Sequence, residues 1–257
     1  MNTEKGSKIN QLLQSQPQGV VFLASWLSLN GYSLDLQKRY RKSNWLQSIG
    51  TGAMIRTGDP ITYEGALYAL QQQNNSNIHP GGKTALSLLG KSHYLELQTK
   101  KVSLFGGKGE NLPSWFQNYD WGAEMNYYQT GFLPKTLGLT QIEYKNFTLQ
   151  VSNAIRALLE CLYLAPKYQD LYECFEIMEG LNNLRPKEVQ KLLEACNSLK
   201  AKRLFLLLAD KAGHSWLNHV DMNNIDLGTG KRSIVKGGVY VSKYKITVNK
   251  ELSLNDE

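Results

Sequence analysis

Cysteine is scarce in this chain. Cys161, Cys174 and Cys196 form an odd set without CxxC spacing, each in an apolar helical context. That excludes a disulfide frame and a cysteine-held zinc site, and it suits a reducing compartment. Histidine offers no metal site either. His214 and His219 are five apart, not at the i,i+4 spacing that puts two ligands on one helical face. No apolar run approaches the ~20 residues of a membrane span. The opening MNTEKGSKINQLLQ has no apolar signal-peptide region. A cytoplasmic protein with no membrane partner is expected. Gly and Pro, 22 and 7 of 257 residues, are too few for a disordered chain.

Catalytic patterns are missing as well. Gly228-Thr229-Gly230-Lys231-Arg232 has a phosphate-loop look, but Ile225 and Arg232 stand where a P-loop needs Gly and Ser/Thr. It reads as a turn with exposed cations. Lys200-Ala201-Lys202-Arg203 reads as the solvated end of an apolar helix, with a second nucleic-acid contact as the alternative. Glu173 and Glu176 read as a wet helical face. No nucleophile has a positioned base, and no Gly-Ser motif precedes a paired-carboxylate strand, so the chain is not expected to be an enzyme. No cofactor is expected.

Acidic residues are the minority, 22 against 29 Lys and Arg. The imbalance is uneven. Residues 1–95 carry nine Lys/Arg against four Asp/Glu, and the remainder twenty against eighteen. The excess coincides with Ser33–Gly58, SLDLQKRYRKSNWLQSIGTGAMIRTG. Ser33 suits a helix cap and Asp35 the positive end of the dipole. Leu36 and Tyr40 share one face. Gln37, Lys38, Arg41 and Lys42 are assigned to the opposite one. Trp45 and Leu46 open a strand, Gly50-Thr51-Gly52 turns it, and Ala53–Arg56 returns. Upstream, Val21–Asn30 reads as a helix, and Gly31-Tyr32 separates it from Ser33. Helix, short Gly-containing turn, basic helix and Gly-rich hairpin together spell a winged helix-turn-helix, whose second helix can enter a major groove.

The rest divides by periodicity. Lys5–Gln14 completes a three-helix core. TYEGALYALQQQ and KTALSLLG are short helices placed with the first domain. From Tyr94 the pattern shortens to strands: Tyr94–Leu97, Lys101–Phe105, Met125–Phe132, and a Gln141–Val151 hairpin turning at Lys145-Asn146. Phe105–Gly109 reads as a turn and Pro113–Gln117 as a helical turn. Ser152 is assigned as cap of the next helix, SNAIRALLECLYLAP. Helices follow at Tyr168–Gly180, Arg185–Ser198 and Ala201–Ala212, with a short extension at His214–His219. The tail, Ser233–Val235, Gly238–Val241 and Tyr244–Val248, returns to strand. The expected class is α+β: a winged helix-turn-helix domain over residues 1–93, then a mixed α/β domain over residues 94–257.

Three stretches carry a family resemblance: LASWLSLNGYSLDLQKRYRKSNWLQSIGTGAMIR, HPGGKTALSLLG, and VSNAIRALLECLYL with KAKRLFLLLADKAGHSWL. In these the chain resembles the AbiEi family of type IV antitoxins and transcriptional regulators, in the subgroup with its own N-terminal winged helix. The resemblance implies a bacterial two-gene system associated with abortive phage resistance. Its antitoxin represses its own operon at inverted repeats in double-stranded promoter DNA. It also counteracts a nucleotidyltransferase-like toxin without a stable complex. The C-terminal domain would carry most of the antitoxic effect. By position, the DNA-facing candidates are Gln37, Lys38, Arg39, Arg41, Lys42 and, on the wing, Arg56. One recognition helix gives a small footprint, so a homodimer or paired binding at two half-sites is expected. The alternatives are a winged-helix repressor with no toxin connection, whose second domain serves dimerisation or ligand sensing, and an RNA binder using the same cationic face.

Overall fold

The computed structural model describes residues 8–91 and 101–254; the strand expected at Tyr94–Leu97 lies outside them. The N-terminal part runs α1 (Lys8–Ser15), β1 (Phe22–Leu23), α2 (Ala24–Leu29), α3 (Leu34–Lys42), β2 (Leu46–Gly50) and β3 (Ala53–Arg56). The strands form an antiparallel sheet in the order β1-β3-β2. Val21–Asn30 is therefore not one helix. Phe22 and Leu23 pair with Met54 and Ala53, and the helix starts only at Ala24. The amide of Gln73 holds this strand, accepting from Leu23 N at 2.8 Å and donating to Val21 O at 2.8 Å.

Ile9, Leu12, Phe22, Leu27, Tyr40, Leu46 and Met54 close a core of their own beneath α3. The other side of the small sheet does not face water. Val20, Val21, Leu23, Ile49, Ala53 and Ile55 join the large core of the remaining chain. Burying each of the larger side chains, Val20, Val21, Leu23, Ile49 and Ile55, contributes roughly 1.5–3 kcal/mol, so the seam between the two halves is strong.

α4 (Tyr63–Gln73), β4 (His79–Pro80) and α5 (Gly82–Leu88) pack on the second half, although sequence order places them before its strands. β4 pairs with β5 (Lys101–Gly107), which runs parallel to β6 (Glu124–Thr130). The turn expected at Phe105–Gly109 is thus strand as far as Gly107. There a Cβ on Gly106 would meet the Tyr127 hydroxyl at 2.2 Å. Between these strands lies the short helix α6 (Ser114–Gln117). β7 (Leu139–Tyr144) and β8 (Phe147–Ser152) make the expected hairpin, with Lys145 left-handed at φ 53°.

Four helices follow: α7 (Ala154–Leu164), α8 (Leu171–Glu179), α9 (Pro186–Ala195) and α10 (Leu199–Lys211). α7 and α10 are buried along most of their length. A last small sheet in the order β10-β11-β9 uses β9 (Arg232–Ser233), β10 (Val239–Val241) and β11 (Ile246–Val248). Asn153, not Ser152, caps α7, its side chain accepting from Arg156 N at 2.9 Å. Ser152 turns inward instead. Its hydroxyl meets the Glu160 carboxylate, which is fully buried and also accepts from Gly82 N and Arg156 Nε, both at 2.9 Å. His79 Nε2 stands 3.3 Å from the same group. Burial alone would raise the Glu160 carboxyl, but His79 and Arg156 hold it below its ordinary value. This cluster pins β4 and α5 to α7.

Candidate nucleic-acid interface

α3 begins as the sequence indicates. Ser33 Oγ accepts from Leu36 N at 3.3 Å, and Asp35 sits in the first turn. Leu36 and Tyr40 face the small core. Lys38, Arg39, Arg41 and Lys42 are exposed. None of the four is in an ion pair among the described residues. Lys38 and Arg41 line a groove between α3 and the wing, together with Leu34, Asp35, Ser48 and Gly52. The hairpin that walls this groove approaches the body of the molecule closely. A Cβ on Gly50 would come 2.7 Å from Cβ of Trp115 on α6, so the wing lies directly against that helix.

Two of the six expected DNA-facing residues are placed elsewhere. Gln37 is 2% exposed. Its Nε2 donates to Tyr32 O at 2.8 Å and lies 3.1 Å from both Ala24 O and Ser28 Oγ. The side chain braces the turn between α2 and α3 and has no donor left for a base. The helical angle carried the warning: at 100° per residue Gln37 lies about 60° from Tyr40, inside the buried arc. Arg56 ends β3 at the base of the hairpin, not at its tip. Its Nη2 donates to Leu13 O at the end of α1, and its Nε stands 3.9 Å from Asp59 Oδ2. Asp59 in turn accepts from Gly19 N at 2.7 Å. Arg56 ties α1 to the sheet and is mostly covered.

Sequence reasoning missed Leu34. It is 69% exposed at the first position of α3 and opens onto the same groove. Its angular position, shared with Lys38 and Arg41, is the signal that could have found it.

The other chemistry considered from the sequence is spent on structure. His214 is buried, with Nε2 2.7 Å from Met178 O. Cys161, Cys174 and Cys196 are free and buried. Glu173 is not a bare wet face, since it accepts from Lys83 Nζ at 2.7 Å. No cluster of three metal-ligating side chains occurs among the described residues, and no described helix is long and apolar enough to cross a membrane.

Comparison with known proteins bears on the whole chain. Residues 5–97 match the family model described as the transcriptional regulator AbiEi antitoxin N-terminal domain. Residues 99–249 match the one described as transcriptional regulator, AbiEi antitoxin, type IV TA system. No curated protein matches. Among solved structures the fold is similar to that of the RV2827C protein from Mycobacterium tuberculosis, at 13% identity and a TM-score of 0.57. The likeness covers 93% of this chain and 88% of the other. With both models matched in sequence over nearly its full length, this chain belongs to the AbiEi family of transcriptional regulators, antitoxins of type IV toxin–antitoxin systems.

Proposed function

We propose that this antitoxin represses its own operon by placing α3 in the major groove of promoter DNA. We propose too that it counteracts a nucleotidyltransferase-like toxin encoded beside it without holding that toxin in a stable complex. The observation that carries the DNA reading is the exposed cations of α3, Lys38, Arg39, Arg41 and Lys42, none in an ion pair among the described residues, with Lys38 and Arg41 on the groove beside the wing. Long cations on a rigid helix neutralise phosphates and release counterions. An arginine on that groove, Arg41, is the candidate for a bidentate contact to guanine. One such helix covers a short half-site, so inverted repeats would take two copies.

The experiment is a salt series of fluorescence anisotropy on duplex DNA from the chain's own promoter. Lys38→Ala, Arg41→Ala and Lys42→Ala should each lower the slope of log K against log salt by roughly 0.9 for every phosphate left unneutralised. Three variants that bind like the parent sink the assignment of α3. Co-expression with the adjacent gene tests the second part. A toxic neighbour rescued by this chain, with no co-purifying complex, is the expected result.

A further inference from the structure

The fold brings together two basic runs that the α3 interface does not use. Lys200–Arg203 is not a solvated helix end. Arg203 is 1% exposed and Lys202 3% exposed. Arg203 Nε donates to Leu227 O at 2.7 Å, Nη1 to Lys245 O at 2.8 Å, and Nη2 also reaches Leu227 O. Lys200 Nζ donates to Tyr163 O at 2.7 Å and to Ala165 O. Lys245 Nζ donates to Gly228 O at 3.1 Å. The loop Gly228–Arg232 therefore lies over the start of α10, and Arg232 N donates to Lys245 O at 3.1 Å. The side chains of Lys231 and Arg232 are exposed.

No ion pair closes on the charges of this cluster among the described residues. Every hydrogen-bond acceptor just named is a neutral carbonyl. Among the described residues none of Lys200, Arg203, Lys231, Arg232 and Lys245 is in an ion pair. Asp226, the carboxylate that acts on Arg203, has its Oδ1 on Gly228 N at 2.7 Å. Burial, then the charge of Arg232, pushes both Lys200 and Arg203 below their ordinary values. Burying a cation without an ion-pair partner is costly and carbonyl acceptors offset it only in part, so the cluster presents a positive field to an anion held at the exposed Lys231 and Arg232.

An aromatic ring stands at the same small sheet. Tyr240 is 38% exposed, with Lys231 Nζ 4.9 Å from its ring centroid. In register, Tyr240 lies beside Thr247 and Ser233, while Arg232 lies beside Ile246 on the other face. β9 is an edge strand. Tyr240 sits on β10, the opposite edge, so a chain lying across the sheet from β9 to β10 would meet the cations first and then the ring beside Lys231. That pairing of cationic track and stacking platform suits unpaired bases rather than a duplex, whose bases are already stacked.

We propose that the span of the C-terminal sheet from β9 to β10 is a second nucleic-acid site, specific for single strands. Lys231 and Arg232 hold phosphates, Arg203 and Lys200 supply the field behind them, and Tyr240 stacks a base. The proposal does not depend on α3. The test therefore uses the full chain with Lys38→Ala, Arg41→Ala and Lys42→Ala combined, to silence that helix. The probes are fluorescein-labelled oligouridine, oligothymidine and a duplex of unrelated sequence, all at low salt. The silenced chain should bind both single strands more tightly than the duplex. Adding Lys231→Ala and Arg232→Ala should weaken single-strand binding tenfold or more, and lower the salt slope by roughly 0.7 for each phosphate no longer held. Tyr240→Leu should weaken it by about 5- to 150-fold and leave the duplex unaffected. All three residues are exposed, and unchanged melting curves would show that the variants fold. A silenced chain that binds no single strand, prefers the duplex, or ignores these substitutions overturns the proposal. Failure of the parent to bind promoter DNA would instead overturn the α3 reading alone.

Discussion

Gln37 gives the sharpest test, because sequence and structure assign it opposite jobs. Gln37→Ala removes an Nε2 group with two protons that serves three acceptors: Ala24 O, Ser28 Oγ and Tyr32 O. A buried hydrogen bond is worth about 0.5–1.5 kcal/mol net, and a buried acceptor left unpaired costs about 1–3 kcal/mol. Removing two bonds at a site 2% exposed should therefore cost about 2–3 kcal/mol. The loss falls on the turn between α2 and α3. Hydrogen exchange should show the amides of both helices losing protection by roughly 30- to 150-fold, while α7 and α10 keep theirs. Gln37→Glu should be worse, since it sets a carboxylate against carbonyl oxygens. On DNA, Gln37→Ala should weaken all duplexes by the same factor. A variant that keeps its exchange protection and changes its preference for adenine at one operator position would refute the reasoning and return Gln37 to the groove.

Arg56→Met should leave the salt slope for DNA unchanged while raising hydrogen exchange at the end of α1, where Arg56 Nη2 meets Leu13 O. Glu160→Gln should cost about 3–5 kcal/mol, read by urea denaturation, because it leaves Arg156 buried without its counter-charge. Glu160 also sets a pH dependence. Its carboxyl is lowered on folding, so its stabilisation is fully present above the unfolded value of about 4.3 and is lost as pH falls through the folded value. The acid limb of the parent's stability profile should accordingly flatten in the Gln variant. Gly65→Ala should destabilise by about 1–3 kcal/mol, measured by thermal melting, since the added Cβ would stand 1.9 Å from Gly19 O.

Local punctuation explains what the sequence made legible. Ser33, Gly50–Gly52 and Thr62 mark boundaries within a few residues of where α3, the hairpin and α4 begin or turn, because caps and tight turns depend on adjacent residues. β1 was invisible for the opposite reason. Two residues become strand only through pairing with Ala53 and Met54, thirty positions away. Gln37 and Arg56 were misplaced because residue type suggests a donor without saying what consumes it. Ser152 lost its cap role to Asn153 because a buried carboxylate eight residues on claimed its hydroxyl. The two basic runs and the strand at Tyr244–Val248 were visible singly, but that the runs meet depends on β11 pairing with β9, which no local pattern reveals.

The polar run at the end of α4 works as a splint. Gln73 grips β1, while Gln71, two residues earlier, donates to Ile78 O and Gln150 O and accepts from Gln150 N, all at 2.9 Å. The last turn of one helix thus fastens the N-terminal sheet on one side and β8 on the other with two side-chain amides. If two copies bind neighbouring repeats as proposed, so stiff a joint makes them take the phasing the double helix offers. Inserting about five base pairs, half a turn, between the repeats would then swing one copy to the far side of the duplex and abolish joint occupancy while each repeat alone stays as attractive as before.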